Sequence, residues 1–235
     1  MRSFNYGKDH LTASIALGLA RKEIKGQFLP EVKHKIEESA SAVSKIAQGE
    51  KVVYGINTGF GPLCTSKISS QDTTTLQENL LKSHAVGLGK PVDLEISKLM
   101  MVLKIHALAQ GFSGIRWETI ERIHWMLEQE IIPLVPIQGS VGASGDLAPL
   151  SHLFLPLLGL GKVSYRGEII TSEEALKLFG KSSLTLGPKE GLALINGTQF
   201  MAAHGVKIIE RLHNLLTHAS ITGAMMVEGL MGSIN

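Results

Sequence analysis

The feature that most constrains this chain is a helical period that returns along nearly its whole length. In PEVKHKIEESASAVSKIAQG, residues 30–49, the apolar positions Val32, Ile36, Ala40, Val43 and Ile46 or Ala47 recur every three or four residues. Pro30 suits the start of that helix and Gly49 its end. TTTLQENLLKSH reads as a second helix, LEISKLMMVLKIHALAQ as a third that Asp93 can cap and Gly111 stops, and ETIERIHWMLEQEIIP as a fourth ended by Pro133 and Pro136. Between the first two, KVVYG is expected as a short strand running into the glycine-punctuated GINTGFGP. VSYRGEII reads as a hairpin turning at Arg166-Gly167, and Thr171 with Glu174 has the spacing of a capping box. From about Leu192 onward a long helix is expected, with Phe200, Ile209, Leu212 and Leu216 on one side. The expected fold is therefore mainly α: an α-rich domain with a few short strands over residues 1–190, leading at 191–235 into long helices of a central bundle.

The last fifteen residues, ITGAMMVEGLMGSIN, hold Glu228 as their single charge. A helix apolar on most faces is a buried one, so another subunit or further sequence is expected to cover it. A monomer of this chain alone would leave that surface in water.

Composition narrows the function classes. Twenty-three basic and 21 acidic residues are interspersed, for a formal net charge of +2, so neither nucleic acid nor a membrane surface is an expected partner. Cys64 is the single cysteine, which rules out an internal disulfide and fits a reducing cytosol. The N-terminal MRSFNYGKDH has no apolar signal core, and Pro149, His152 and Pro156 interrupt the most apolar run. A cytoplasmic location is expected.

One stretch fits none of these elements. Residues 139–145 of GSVGASGDLAPL contain nothing larger than a valine, yet they abut Asp146 and the apolar run LAPLSHLFLPLLGLG. A phosphate loop would need lysine followed by serine or threonine after its last glycine, and a dinucleotide loop would need GxGxxG directly after a strand. A nucleophile elbow would need glycine where Asp146 stands. Nine histidines are scattered without an HExxH pair, and His213 and His218 lie five apart, off a common helix face, so no metal is expected.

The chemistry of the loop suggests another use. If the backbone folds tightly, the amide nitrogen of Gly145 reaches the carbonyl carbon of Ala143, with glycine making the approach at least conformational cost. Closure with loss of one water gives an imidazolone ring, and loss of the Ser144 hydroxyl as a second water leaves an exocyclic methylidene. Asp146 is placed to move protons during that condensation. Ala-Ser-Gly alone is common and mostly marks a flexible loop.

Context makes it specific. GSVGASGDLAPLSH resembles the signature of the aromatic amino acid lyases, and three further stretches follow that family's order: YGINTGFGPL at 54–63, SHAVGLG at 83–89 and INGTQ at 195–199. The resemblance covers effectively the whole chain. It implies a methylidene-imidazolone cofactor formed autocatalytically from Ala143, Ser144 and Gly145, with no metal. Tyr54 would be the base that removes the substrate's β-proton, which requires its hydroxyl to be acidified toward the working pH. Gly61 would let backbone approach the ligand, and Asn196 would hydrogen-bond the cofactor ring or the substrate.

Ser83-His84 matches the pair that histidine lyases carry, where phenylalanine and tyrosine lyases resemble Phe-Leu and His-Leu. A polar His84 would satisfy an imidazole ring that an apolar pocket would leave unpaired. The implied reaction is ammonia elimination from L-histidine to trans-urocanate, in a homotetramer that shares active sites between subunits. Family chains are much longer, and their carboxylate-binding arginine and a later glutamine, phenylalanine and glutamate have no counterpart here, so a truncated or split chain is expected.

Other readings stay open from the residues themselves. Tyr54 also reads as a strand-end aromatic, Gly61 as a turn glycine before Pro62, His84 as a helix-end histidine bonded to the last carbonyls, and Asn196-Gly197 as a helix irregularity. At the level of function, a tyrosine lyase or aminomutase with the same cofactor, or a non-catalytic fragment that never matures Ser144, competes with the histidine lyase.

Overall fold

The computed structural model describes residues 2–59, 68, 70–142 and 145–233. The chain is mainly helical, with short strands at its margins. In order, the elements are β1 (Arg2–Asn5), α1 (Ala13–Ala20), β2 (Ile24–Gln27), α2 (Pro30–Gln48), α3 (Ser70–His84), β3 (Leu88–Pro91), α4 (Leu94–Leu108) and α5 (Trp117–Glu128). There follow β4 (Ile132–Pro133), β5 (Pro136–Gln138), α6 (Leu147–Phe154) with a 3₁₀ turn at Leu155–Leu158, β6 (Lys162–Tyr165), β7 (Glu168–Thr171), α7 (Ser172–Leu178), α8 (Glu190–Ile195) and α9 (Gln199–Gly229). β1 and β2 pair in parallel, β3 and β5 antiparallel, and β4, β6 and β7 form an antiparallel three-stranded sheet. Among the described residues, no helix is long and apolar enough to cross a membrane.

α4 is the axis of the core. Ile96, Leu99, Met100, Met101, Val102, Ile105 and Leu108 are all buried, so the helix is covered on most of its faces by α1, α5 and the first turns of α9. A helix with so little polar surface is stable only inside such a shell. The core continues through Leu150, Leu153 and Phe154 of α6, Leu194 and Ile195 of α8, and Phe200, Ala203 and Val206 of α9.

Local signals held where their chemistry was local. Pro30 begins α2, Thr171 and Glu174 make both halves of a capping box, and the β6–β7 hairpin turns at Arg166-Gly167 with both residues left-handed. Asp93 stands at the N-cap of α4, although its side chain makes no capping hydrogen bond.

Two expectations are corrected. KVVYG is not a strand. The amides of Ile56 and Asn57 turn back to the Val53 carbonyl, the Asn57 side chain takes the Val53 amide (2.8 Å) and donates to the Lys51 carbonyl (2.9 Å), and the Thr58 hydroxyl takes the Gly55 amide (3.2 Å). Asn and Thr side chains thus offer the backbone a turn in place of a ladder, and β-branched Val52-Val53 cannot outweigh it. The long helix expected from Leu192 is two helices, because the chain leaves the helical path at Asn196 (ψ 122°) and Gly197 (φ +150°). Only Phe200 of its expected apolar side is buried; Ile209, Leu212 and Leu216 are 47%, 52% and 56% exposed.

Candidate active site

Three helices that pack on one another, α3, α6 and α8, carry at or beside their ends four of the sequence-predicted residues, Ser83, His84, Asp146 and Asn196. α8 crosses α3 at Gly191, where a Cβ would lie 2.5 Å from the Gln77 carbonyl oxygen, so only glycine permits the crossing. Ser83 and His84 end α3, Asp146 precedes α6, and Asn196 ends α8. α6 is tied to the segment after His84 by the Gly87 amide, which donates to His152 Nε2 at 3.0 Å.

His84 Nδ1 lies 2.8 Å from the Leu80 carbonyl oxygen. A carbonyl only accepts, so Nδ1 carries the proton and Nε2 is left as an acceptor. The Ser83 hydroxyl, 3.1 Å from His84 Nδ1, also donates to the Leu80 carbonyl at 3.2 Å. The helix-end contact and a substrate-facing role are therefore compatible: one ring nitrogen anchors the imidazole and the other can accept a hydrogen bond from a ligand N–H.

Asp146 is fully buried. Its amide donates to the Gly197 carbonyl (2.7 Å), one carboxylate oxygen takes the Ser140 hydroxyl (2.6 Å), and the other takes the Met201 amide (3.0 Å). Met201 is the third residue of α9, so Asp146 caps a helix 55 residues away while its own helix, α6, receives no cap from it. The loop end is seated tightly. A Cβ on Gly145 would lie 2.9 Å from the Gly197 carbonyl oxygen, 3.1 Å from the Gly197 nitrogen and 3.3 Å from Asn196 Oδ1.

Asn196 itself is exposed, with its amide donating to the Leu192 carbonyl at 3.0 Å. Its carbonyl accepts from Lys104 Nζ at 2.7 Å. Lys104 is 2% exposed, and burial pushes its ammonium down to about 7. Beside Gly197, Gln199 Oε1 is buried with no hydrogen-bond partner among the described residues. Tyr54 stands on the turn before Asn57 and is 58% exposed. Gly61, Ala143 and Ser144 lie outside the described residues. Among the described residues, no three His, Cys, Asp or Glu side chains gather closely enough to hold a metal ion.

Sequence reasoning missed Lys104, Ser140 and Gln199. Gln199 was in view within INGTQ, but a lysine in the apolar period of α4 signals nothing about its partner. Its only trace is a charge on a helix whose other faces are apolar.

Comparison with known proteins bears on what this region is. Residues 11–235 match the aromatic amino acid lyase family. The histidine ammonia-lyase of Vibrio cholerae serotype O1 is 48% identical over 204 residues, covering 87% of this chain and 40% of the relative. The crystal structure of histidine ammonia-lyase from Trypanosoma cruzi superimposes with a TM-score of 0.90 at 33% identity, over 99% of this chain and 45% of that one. The phenylalanine aminomutase of Pantoea agglomerans gives the same TM-score, 0.90, at 30% identity. The chain thus spans less than half the length of the relatives it matches.

Proposed function

The chain belongs to the aromatic amino acid lyase family, and from that premise we propose that it carries the cofactor-forming part of an ammonia-lyase that converts L-histidine to trans-urocanate. The observation that carries this reading is the seating of Gly145 and Asp146 against Asn196-Gly197, where a side chain on residue 145 would collide with backbone. A loop that must close on itself needs a rigid, side-chain-free abutment at its last residue, and the buried Asp146 supplies three fixed hydrogen bonds beside it. These residues fit a methylidene-imidazolone built from Ala143, Ser144 and Gly145, and Gln199 Oε1, which has no hydrogen-bond partner among the described residues, adds a buried polar atom beside Gly197. When formed, that group supplies an electrophilic carbon for the substrate's amine.

The remaining roles fall to the chain's own side chains. Tyr54, partly in solvent on a well-hydrogen-bonded turn, takes the β-proton. His84, with Nδ1 anchored to Leu80, offers Nε2 to the N–H of the substrate imidazole, which favours histidine over a phenyl ring. Ser83 buttresses that imidazole, Asn196 orients the cofactor ring or the substrate, and Gly61 leaves room for the ligand. Residues 191–235 belong, on this reading, to a helical bundle completed by other chain, in a cytoplasmic homotetramer that catabolises histidine. The exposed apolar run along α9 supports that assembly.

The test is the intact mass of the purified chain with a peptide map across residues 139–150, followed by a urocanate assay. Loss of two waters localised to Ala143-Ser144-Gly145 and urocanate formation are expected. An unmodified loop would overturn the reading for this chain. A matured loop that converts another aromatic amino acid, or returns a rearranged amine, would overturn only the histidine assignment.

A further inference from the structure

Lys104 is out of place by every general rule. It lies in the middle of α4 between Met100, Met101, Ile105 and Leu108, which are 0%, 1%, 0% and 2% exposed, and its own exposure is 2%. Lysines are almost never fully buried unless their charge is used. Among the described residues, its Nζ makes one hydrogen bond, to the carbonyl of Asn196, 92 positions away in sequence.

Among the described residues, that carbonyl accepts from no other donor. It lies at the C-terminal end of α8, where carbonyls lose their intrahelical partners, and the chain turns away at Gly197 instead of curling back to satisfy it. The helix end also favours a cation. With the Asn196 amide on Leu192 and its carbonyl on Lys104, the peptide groups on both sides of that residue are fixed. The next carbonyl, of Gly197, takes the Asp146 amide, and Asp146 in turn holds Ser140 and Met201. An unbroken run of hydrogen bonds and covalent links joins the centre of α4 to both ends of the small-residue loop.

We propose that Lys104 is a positioning residue, whose buried Nζ donor pins the Asn196-Gly197 break and so seats the Gly145-Asp146 end of the cofactor-forming loop while turning the Asn196 side chain toward it. The consequence for cyclisation rests on the lyase reading above; the clamp itself does not. A lysine that merely fills space would be replaced without local effect by methionine, which has similar length and no charge to bury.

Hydrogen exchange read at single amides, in the wild-type chain, Lys104→Met and Lys104→Arg, separates these cases. Lys104→Met is expected to speed exchange at the Asp146 and Met201 amides by about tenfold or more, while α5 and the β6–β7 hairpin keep wild-type rates. It is also expected to lower the fraction of chains that have lost two waters at residues 139–150. Lys104→Arg, which keeps a cationic donor, restores much of the local protection. Wild-type protection at Asp146 and Met201 in Lys104→Met would overturn the proposal, and so would a uniform rise in exchange throughout both variants, which is the mark of core filling. If the wild-type loop never loses water, the lyase reading fails while the exchange rates still decide the clamp.

Discussion

Glu190, the first residue of α8, is the group whose removal should damage this fold most for its size. Its carboxylate is 1% exposed and fully engaged. One oxygen accepts from the Arg116 amide (3.0 Å) and the Thr119 hydroxyl (2.7 Å); the other accepts from Arg116 Nε (2.8 Å) and the Gly187 amide (2.6 Å), with Arg116 Nη2 also at 2.6 Å. Glu190→Ala strands these donors unequally. The Arg116 side chain is 41% exposed, so it regains water and keeps its bond to the Thr185 carbonyl. The Thr119 hydroxyl is buried completely and cannot.

One stranded hydroxyl and two half-buried amides, at about 1–1.5 kcal/mol each, amount to roughly 3–4.5 kcal/mol. Glu190→Gln keeps the shape but turns an NH₂ toward donors, and about 2–3 kcal/mol is expected. Arg116→Ala should cost about 3–5 kcal/mol, because it leaves the buried Glu190 carboxylate, 1% exposed, without its cation. Urea unfolding of the four chains, with unchanged slopes, would give these differences as midpoint shifts. A loss below about 1 kcal/mol in Glu190→Ala would refute the reasoning, since it would mean the stranded donors find water or new partners at little cost.

Three further outcomes follow from other parts of the molecule. Lys104 has a folded value of about 7, below its ordinary 10.5, so the unfolded chain binds the extra proton between those values and wild-type stability should rise with pH across that window. Relative to Lys104→Met, the gain should be about 2 kcal/mol from pH 7 to 9, and parallel stability curves for the two chains would refute it. Gly145→Ala drives a methyl to 2.9 Å from the Gly197 oxygen, so a loss of about 1–3 kcal/mol in thermal unfolding is expected, with slower loss of water from the loop; wild-type stability would count against the tight seating. The apolar row on α9, with Leu212, Leu215 and Leu216 each more than half exposed, should make the chain self-associate, and Leu212→Glu with Leu216→Glu should reduce that; a monodisperse wild-type monomer in light scattering would refute it.

What the sequence determined by itself is what neighbouring residues decide. The period of α2, the proline at its start, the Thr171–Glu174 capping box and the Arg166-Gly167 turn each depend on contacts within about four positions, and local chemistry dictates them whatever the rest of the chain does. The four motifs in register point to the family for the same reason, since each is a short run of neighbouring residues. Tertiary structure decided the rest. Asn57 and Thr58 outweigh the strand preference of Val52-Val53 once their side chains close on the backbone, and the irregularity at Asn196-Gly197 becomes a clean break. Asp146 caps α9 and not the helix it precedes, and Lys104 finds its hydrogen-bond partner 92 positions downstream. A hydrogen bond between distant residues leaves no period and no spacing in the chain; it exists only after the apolar faces of α3, α4, α6 and α8 have packed and excluded the water that would otherwise satisfy the same groups.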